Sequence, residues 1–464
     1  MKTIKITNNP GNSDKSTFVK LLKYGGVIIG SIVLICLLIS ILFPDYFINT
    51  FFKDKIAKTL NDAYPAYKIE YSDMHYSVWK NRLVIDSLKI DARDSSISAG
   101  AASVSVGGIG WLKTAWTGNL DSSNIKNLEF NVEGITVDFY KDQKVLRLGA
   151  LHISAPDSEM VSDSIKYYPS IDDEQFFAKS HFKQTRFNID IPKITITGLD
   201  FPSLIQGKAY KAGSITIHDM LTDILVNMDK PNDLNSPNPQ MPNEALSSIK
   251  EIIKVDSLNT INGRLKYSER FFLGAKPGSI SFSKVNVSVK GIANHTEFPD
   301  TAFINAKGLL MNSGTMNLLM VIPLTPKNLS FQYSGSLSKM DATLLNSFIE
   351  ACEHKRIKSG ILQSAAFNIT VNSGRASGTV AIVYNDLSIV TINSNTGSEN
   401  GVFNRIASIF GKLFIIRSSN MPDADGLIKK GEIKFVRNPA NPFLQFVWFA
   451  LRSGVGDIVG FPPE

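Results

Sequence analysis

The chain has 464 residues, 43% of them hydrophobic and 20% charged, which excludes both an acidic disordered chain and a polytopic membrane protein. Its 49 Lys and Arg against 42 Asp and Glu give a net charge of +7, spread too thinly to argue for nucleic-acid binding. Two cysteines exclude a disulfide framework and any cysteine-rich zinc module.

In chain order, the first element is Tyr24–Phe43, an uncharged apolar run long enough to cross roughly 30 Å of hydrocarbon as a helix. Lys2, Lys5, Lys15, Lys20 and Lys23 precede it against Asp14 alone, whereas Lys53, Lys55 and Lys58 beyond it are partly offset by Asp45 and Asp54. The bias predicts a cytoplasmic tail (1–23), a single transmembrane anchor (24–43) and an exported body. Pro44, Asp45 and Tyr46 follow without a small-x-small cleavage site, so the anchor is expected to stay uncleaved. A helix over 44–63 is expected next, with Phe47, Phe51, Phe52, Ile56 and Leu60 on one stripe.

From there most of the body reads as strands, expected to be antiparallel and punctuated by Gly, Asn, Asp and Ser. Alternation runs through Ile194 and Ile196, Ile215 and Ile217, Phe331 and Tyr333, Phe367, Ile369 and Val371, and Val380, Ile382 and Tyr384. Between Ile280 and Phe282 and the later Val285, Val287 and Val289 the apolar phase slips, which predicts a bulge near Lys284. The polar stretch 157–183 reads as an excursion loop. A Pro- and Asn-rich linker over 228–243 divides the body into 44–227 and 244–400, and aromatic-rich helices with a strand close the chain over 401–464. Short helices are expected near 244–253, 341–354, 402–416 and 442–451.

Such a chain carries many strands with one apolar face and few helices to cover them. Two packed sheets would solve this, and so would one long sheet curled into a trough whose apolar face holds lipid. Periodicity alone leaves both open.

Several stretches taken together resemble the AsmA-like family, bacterial relatives of bridge-like lipid-transfer proteins. They are the anchor followed by YKIEYSDMHYSVWKNRLVIDSLKI, the central VDSLNTINGRLKYSERFFLGAKPGSISFSKVNVSVKGI, the FQYSGSLSKMDATLLNSFIEACEHKRIKSGILQSAAFNITVNSGRASGTVAIVYNDL segment, and the ending from GVFNRIASIF to LRSGVGDIVG. The resemblance implies an elongated, curled antiparallel sheet, anchored in the inner membrane and projecting into the periplasm. It implies phospholipid as the bound partner and a role in lipid transport or outer-envelope maintenance. The chain is short beside long members such as TamB, so it is expected to act as a homo-oligomer or with a periplasmic or outer-membrane partner.

For chemistry the sequence offers little. His75, His152, His181, His218, His295 and His354 form no ligand spacing, no GxSxG elbow occurs, and VGGIG and SGVGDIVG do not match phosphate loops. Asp86, Asp91 and Asp94 fit a solvated strand face. No catalytic residue, metal or cofactor is expected, and the chain is read as a non-enzyme. The candidate lipid-groove residues are Phe331, Tyr333, Phe367, Ile369, Val371, Val380, Ile382, Ile280 and Phe282. Phe443, Phe446, Trp448 and Phe449 are candidates to rest on a membrane or partner. Two other roles share these patterns: an assembly factor for outer-membrane proteins that pairs client strands along a sheet edge, and a structural envelope protein with a filled core.

Overall fold

A computed structural model describes residue 30 and residues 64–77, 80–108, 126–205, 207, 209–272, 274–324, 328–393, 405–407 and 413–460. The anchor expected over 24–43 and the helix expected over 44–63 lie outside the described residues, but for Gly30. No helix among the described residues is long and apolar enough to cross a membrane.

One sheet of nineteen strands dominates the protein. At one edge β1 (Tyr67–Glu70) and β2 (Asp73–Ser77) both pair with β3 (Arg82–Ala92). A meander follows through β4 (Ile97–Gly107), β5 (Glu129–Phe139), β6 (Lys144–Ser154), β7 (Glu159–Pro169) and β8 (Thr185–Thr197). β9 (Ala209–His218) and β10 (Leu221–Asn227) pair end to end along β8 and then along β11 (Ile252–Arg270). Beyond them come β12 (Gly278–Ala293), β13 (Thr301–Leu310), β14 (Gly314–Pro323), and β15 (Phe331–Leu337) with β16 (Met340–Asp341). β17 (Lys355–Asn372), β18 (Arg375–Thr391) and the edge strand β21 (Lys430–Val436) complete the sheet. Three ranks hold two strands each, so nineteen strands occupy sixteen ranks, a path of roughly 70 Å measured along the sheet.

The expected antiparallel sheet is thus a mixed one, because β11 runs parallel to β9 and β10. A parallel return needs a long crossover, and residues 228–251 supply it. The linker therefore does not separate domains; it carries the chain back so that both halves share one sheet. Helix α3 (Pro242–Ser247) lies within this crossover, and β11 has begun by Ile252. The expected loop over 157–183 begins instead as β7, whose Met160, Ile165 and Tyr167 alternate with polar residues. Only its second half is irregular, around α1 (Asp173–Ala178). A short helix α2 (Phe201–Ile205) joins β8 to β9.

A 3-10 turn at Ala342–Leu345 leads into α4 (Asn346–Glu353), which ends on His354 in the left-handed region. Where a helix was expected over 402–416, the described residues pair as a hairpin of β19 (Arg405–Ala407) and β20 (Leu413–Ile415). The last helix is longer than the aromatic run alone suggests: α5 spans Phe443–Val459, its end marked by Gly460 at φ 96.

The expected bulge is present, with Lys284 at φ 49 and a register shift between Ser283 and Asn286. It belongs to a line. Ser87, Gly134, Ser164, Asp219 and Asn262 take left-handed conformations at the same level of β3, β5, β7, the β9–β10 junction and β11. Gly134 stands where a Cβ would come within 2.9 Å of the Ala102 Cβ on the neighbouring strand. Along this line a register shift accompanies the left-handed residue only between β11, β12 and β13, but each such residue interrupts the run of its strand, so the interruptions crease the sheet along its length.

Two apolar clusters form on one face. The first gathers β1 to β6 around Leu83, Val104 and Phe130, with Phe201 of α2. The second gathers β13 to β18 and β21 beneath α5. On the opposite face α1 seats Phe176 and Phe177 against Leu225, flanked by Arg186 paired with Asp173 and Asp223.

Candidate apolar groove

The register links the two clusters by an unbroken apolar row. Cross-strand partners run Leu83, Val106, Phe130, Ile153, Met160, Ile196, Ile215, Leu258, Val289, Ile304, Met320, Tyr333 and Ile369. On the other face the neighbouring row reads Thr195, Thr216, Asn259, Ser288 and Asn305. Side chains alternate between faces along each strand, so one face of the sheet is apolar through its middle and the other polar.

Burial along the row changes with position. Leu83, Val106, Phe130 and Ile153 at one end, and Met320, Tyr333 and Ile369 at the other, are buried. The six residues between, Met160 to Ile304, are half-exposed, and Ile196, Ile215 and Leu258 belong to neither cluster. Two inter-strand steps, roughly 10 Å, join these three, and with Met160, Val289 and Ile304, which pack partly against the two clusters, the less-buried stretch runs five steps, roughly 24 Å. That accommodates an acyl chain, which spans half of a roughly 30 Å bilayer core. The row beside it, Ile194, Ile217, Thr260 and Val287, widens the strip, and Ile280 and Phe282 extend it across the crease through pairs with Tyr267 and Leu265.

The structure separates the candidate groove residues. Ile280 and Phe282 lie on the half-exposed stretch. Phe331, Tyr333, Ile369, Val371 and Val380 are at most 2% exposed and Ile382 is buried with them, so the expectation that they line an open groove does not hold. The reason is α5. Phe446 is fully buried against Phe331 and Phe435, Phe443 packs with its ring 5.3 Å from that of Phe331, and Phe449 meets Phe435. Phe367, partly buried, packs edge-on to Tyr333. Close approach is possible because Gly454 meets Gly431 backbone to backbone, with no room for a Cβ on Gly431. Hence Phe446 is a core anchor and cannot touch a membrane or partner. Of the four aromatic contact candidates only Trp448, with its neighbour Leu444, faces outward.

Between the open stretch and the capped end stands α4. Its Phe348 ring packs on Tyr267, and Ser347 Oγ donates to the carbonyl of Ser279 on β12, while the Asn346 side chain caps both backbone groups of Ile357 on β17. Arg452 of α5 pairs with Glu353 of α4 at 3.1 Å. Burial and then the neighbouring Glu269 push the Tyr267 hydroxyl and the Cys352 thiol well above their ordinary pKa values. Both shifts favour the protonated, neutral forms.

Elsewhere the expected acidic positions are ordinary surface. Asp91 is held low by hydrogen bonds from Lys89 and Ser98, and Asp94 falls to about 2 through hydrogen bonds from Ser96 and Lys141. Asp73, His75 and Asp86 bring ligand atoms within 4.8 Å of one another at the exposed sheet edge, where such groups commonly stay hydrated. The apolar face, though not which part of it stays open, has a signal in the sequence. The spacing i, i+2, i+5, i+7 recurs as Leu83, Ile85, Leu88 and Ile90, as Phe130, Val132, Ile135 and Val137, as Leu146, Leu148, Leu151 and Ile153, and as Ile189, Ile191, Ile194 and Ile196. In each set the apolar phase slips once, and in β3 and β5 the slip falls at the left-handed Ser87 and Gly134.

No protein-family model matches the chain, and no curated protein matches it.

Proposed function

We propose that the protein binds phospholipid acyl chains on the apolar face of its creased sheet, as a non-enzymatic carrier anchored in the bacterial inner membrane by residues 24–43, with its body in the periplasm. The observation that supports this is the half-exposed row from Met160 to Ile304, apolar at every position and backed by a polar face. A monomer leaves such a strip in water only at a cost, and strips of this kind ordinarily mark binding grooves. The sequence resemblance to AsmA-like proteins points to the same lipid-transport role in envelope maintenance. A path of roughly 70 Å is short for spanning a Gram-negative periplasm, so the carrier works as a homo-oligomer or hands lipid to a partner.

The test is photo-crosslinking in intact cells. A photoreactive residue at Ile215 or Leu258 should yield phospholipid adducts detectable by mass spectrometry, while one at Thr216 or Asn259 on the polar face should not. Equal adducts on both faces, or none on either, would remove the groove reading.

A further inference from the structure

At one margin of the open stretch the apolar wall gives way to two opposite charges. The row Phe187, Ile224, Tyr267 and Ile280 is apolar, and Phe187 is 38% exposed. One step outward the partners are Thr185, Val226, Glu269 and Gly278. Lys183 precedes Thr185 by two residues, and its backbone N–H donates to the carbonyl of Pro231. Glu269 accepts the Tyr267 hydroxyl at 2.7 Å and also the Cys352 thiol of α4. Arg270, the next residue, turns to the opposite face, where Glu174 and the Phe177 ring hold it. Glu269 therefore stands on the groove side, and the Lys183 ammonium, which feels its carboxylate, lies at the same margin.

Lys183 is half-buried, and its ammonium has no hydrogen bond or ion pair among the described residues. It does feel the Glu269 carboxylate, without bonding to it, and burial pulls its pKa below the ordinary lysine value. A desolvated cation without a bonded counter-charge is costly to hold, and an anion seated on it recovers that cost. At the rim of the apolar strip the fold thus leaves a half-buried lysine without a bonded partner near a carboxylate that accepts two neutral donors, Tyr267 and Cys352, and has no cation bonded to it.

Resting on the carrier reading, we infer that Lys183 and Glu269 form a headgroup seat for a zwitterionic aminophospholipid: Lys183 takes the phosphate, Glu269 takes the ammonium, and the acyl chains lie past Phe187 and Tyr267 along the groove. An anionic lipid without an amine would satisfy Lys183 only and bring a second negative charge toward Glu269.

The full chain, purified in detergent and stripped of lipid, is incubated with mixed micelles holding equal phosphatidylethanolamine and phosphatidylglycerol. Retained lipid is then quantified by mass spectrometry. The wild type should retain phosphatidylethanolamine about tenfold over phosphatidylglycerol, the scale of one charge-assisted hydrogen bond in a half-buried site. Glu269→Gln, which still accepts the Tyr267 hydroxyl, should bring the ratio to about one. Lys183→Met should lower retention of both lipids and Lys183→Arg should restore it. Excess glycerophosphoethanolamine, the same head without chains, should leave the loaded lipid in place; its displacing that lipid would overturn the seat as a lipid site. Lipid retained without headgroup preference, or unchanged retention in Lys183→Met, would overturn the seat while sparing the carrier reading. A chain that retains no lipid would overturn both.

Discussion

The Tyr333 hydroxyl donates to the backbone carbonyl of Val447 at 3.0 Å, tying the middle of β15 to the N-terminal part of α5. Tyr333 is also a member of the apolar row that lies half-open from Met160 to Ile304. The partly exposed apolar face in the centre of the sheet therefore continues beneath α5 as packed core, and the phenol marks where the helix takes over. Burial holds this hydroxyl far above its usual pKa, so it remains a donor at any physiological pH.

Removing that hydrogen bond tests how firmly α5 is seated. Tyr333→Phe keeps the ring packing against Phe331 and Phe367 and leaves the Val447 carbonyl without its side-chain donor. The change should lower unfolding stability by about 1 kcal/mol in urea titration, with an unchanged m value. Lipid adducts at Ile215 should persist, because the open stretch does not depend on this bond.

The crease makes a separate prediction. Lys284 sits at φ 49, where the Cβ of an L side chain is strained and glycine is not. Lys284→Gly should leave the melting temperature unchanged or slightly raised. Lys284→Val, β-branched in the left-handed region, should cost about 2 kcal/mol. If both variants melt alike, the bulge is not maintained in solution and β12 pairs straight.

Much of this architecture is legible in the sequence. The alternation at Ile194 and Ile196, Ile215 and Ile217, and Phe367 to Val371 marks real strands, and the slip after Phe282 marks a real bulge, because a two-residue period has only one way to keep its apolar face. What stays hidden are relationships between strands. The parallel return of β11 depends on where residues 228–251 lead, which composition does not encode. The groove candidates fall under α5 for a similar reason. Phe331, Ile369 and Val380 carry the same pattern as Ile196 and Ile215, and only the long-range docking of Phe446 and the Gly431–Gly454 contact distinguishes capped from open. The polar strand β7 reads as a loop because its outward side chains are Ser, Asp and Lys.

Acid should loosen the far end of α5. Asp457 is held below the ordinary carboxylate range, first by the Lys429 hydrogen bond and also by the Glu432 backbone N–H. A depressed folded-state pKa contributes stability that is fully present above the unfolded value, near pH 4, and is lost as pH falls through the folded value below it. Both side chains are more than a third exposed, so solvent screening limits the effect to well under about 1 kcal/mol. Asp457→Asn should be slightly less stable than wild type at pH 7, and the two should converge toward pH 2 in parallel melts. A constant difference across that range would mean the ion pair is not the cause.

The sharpest contrast lies along the row itself, between a capped position and an open one. Ile369 is fully buried between Tyr333 and the Gly378 backbone, under α5. An aspartate there has no water and no partner, so Ile369→Asp should cost on the order of 4 kcal/mol and deplete the protein in cells. Ile382→Asp, buried in the same cluster, should behave alike. Ile215 occupies the same row, between Ile196 and Leu258, but is half-exposed. There the carboxylate reaches water along the open side, and its desolvation cost falls on the ligand instead of the fold. Ile215→Asp should accumulate near wild-type levels, melt within a few degrees of it, and lose phospholipid adducts at Leu258. Were Ile215→Asp degraded like Ile369→Asp, the central stretch would be closed by protein, and the apolar face would be a core from one edge of the sheet to the other.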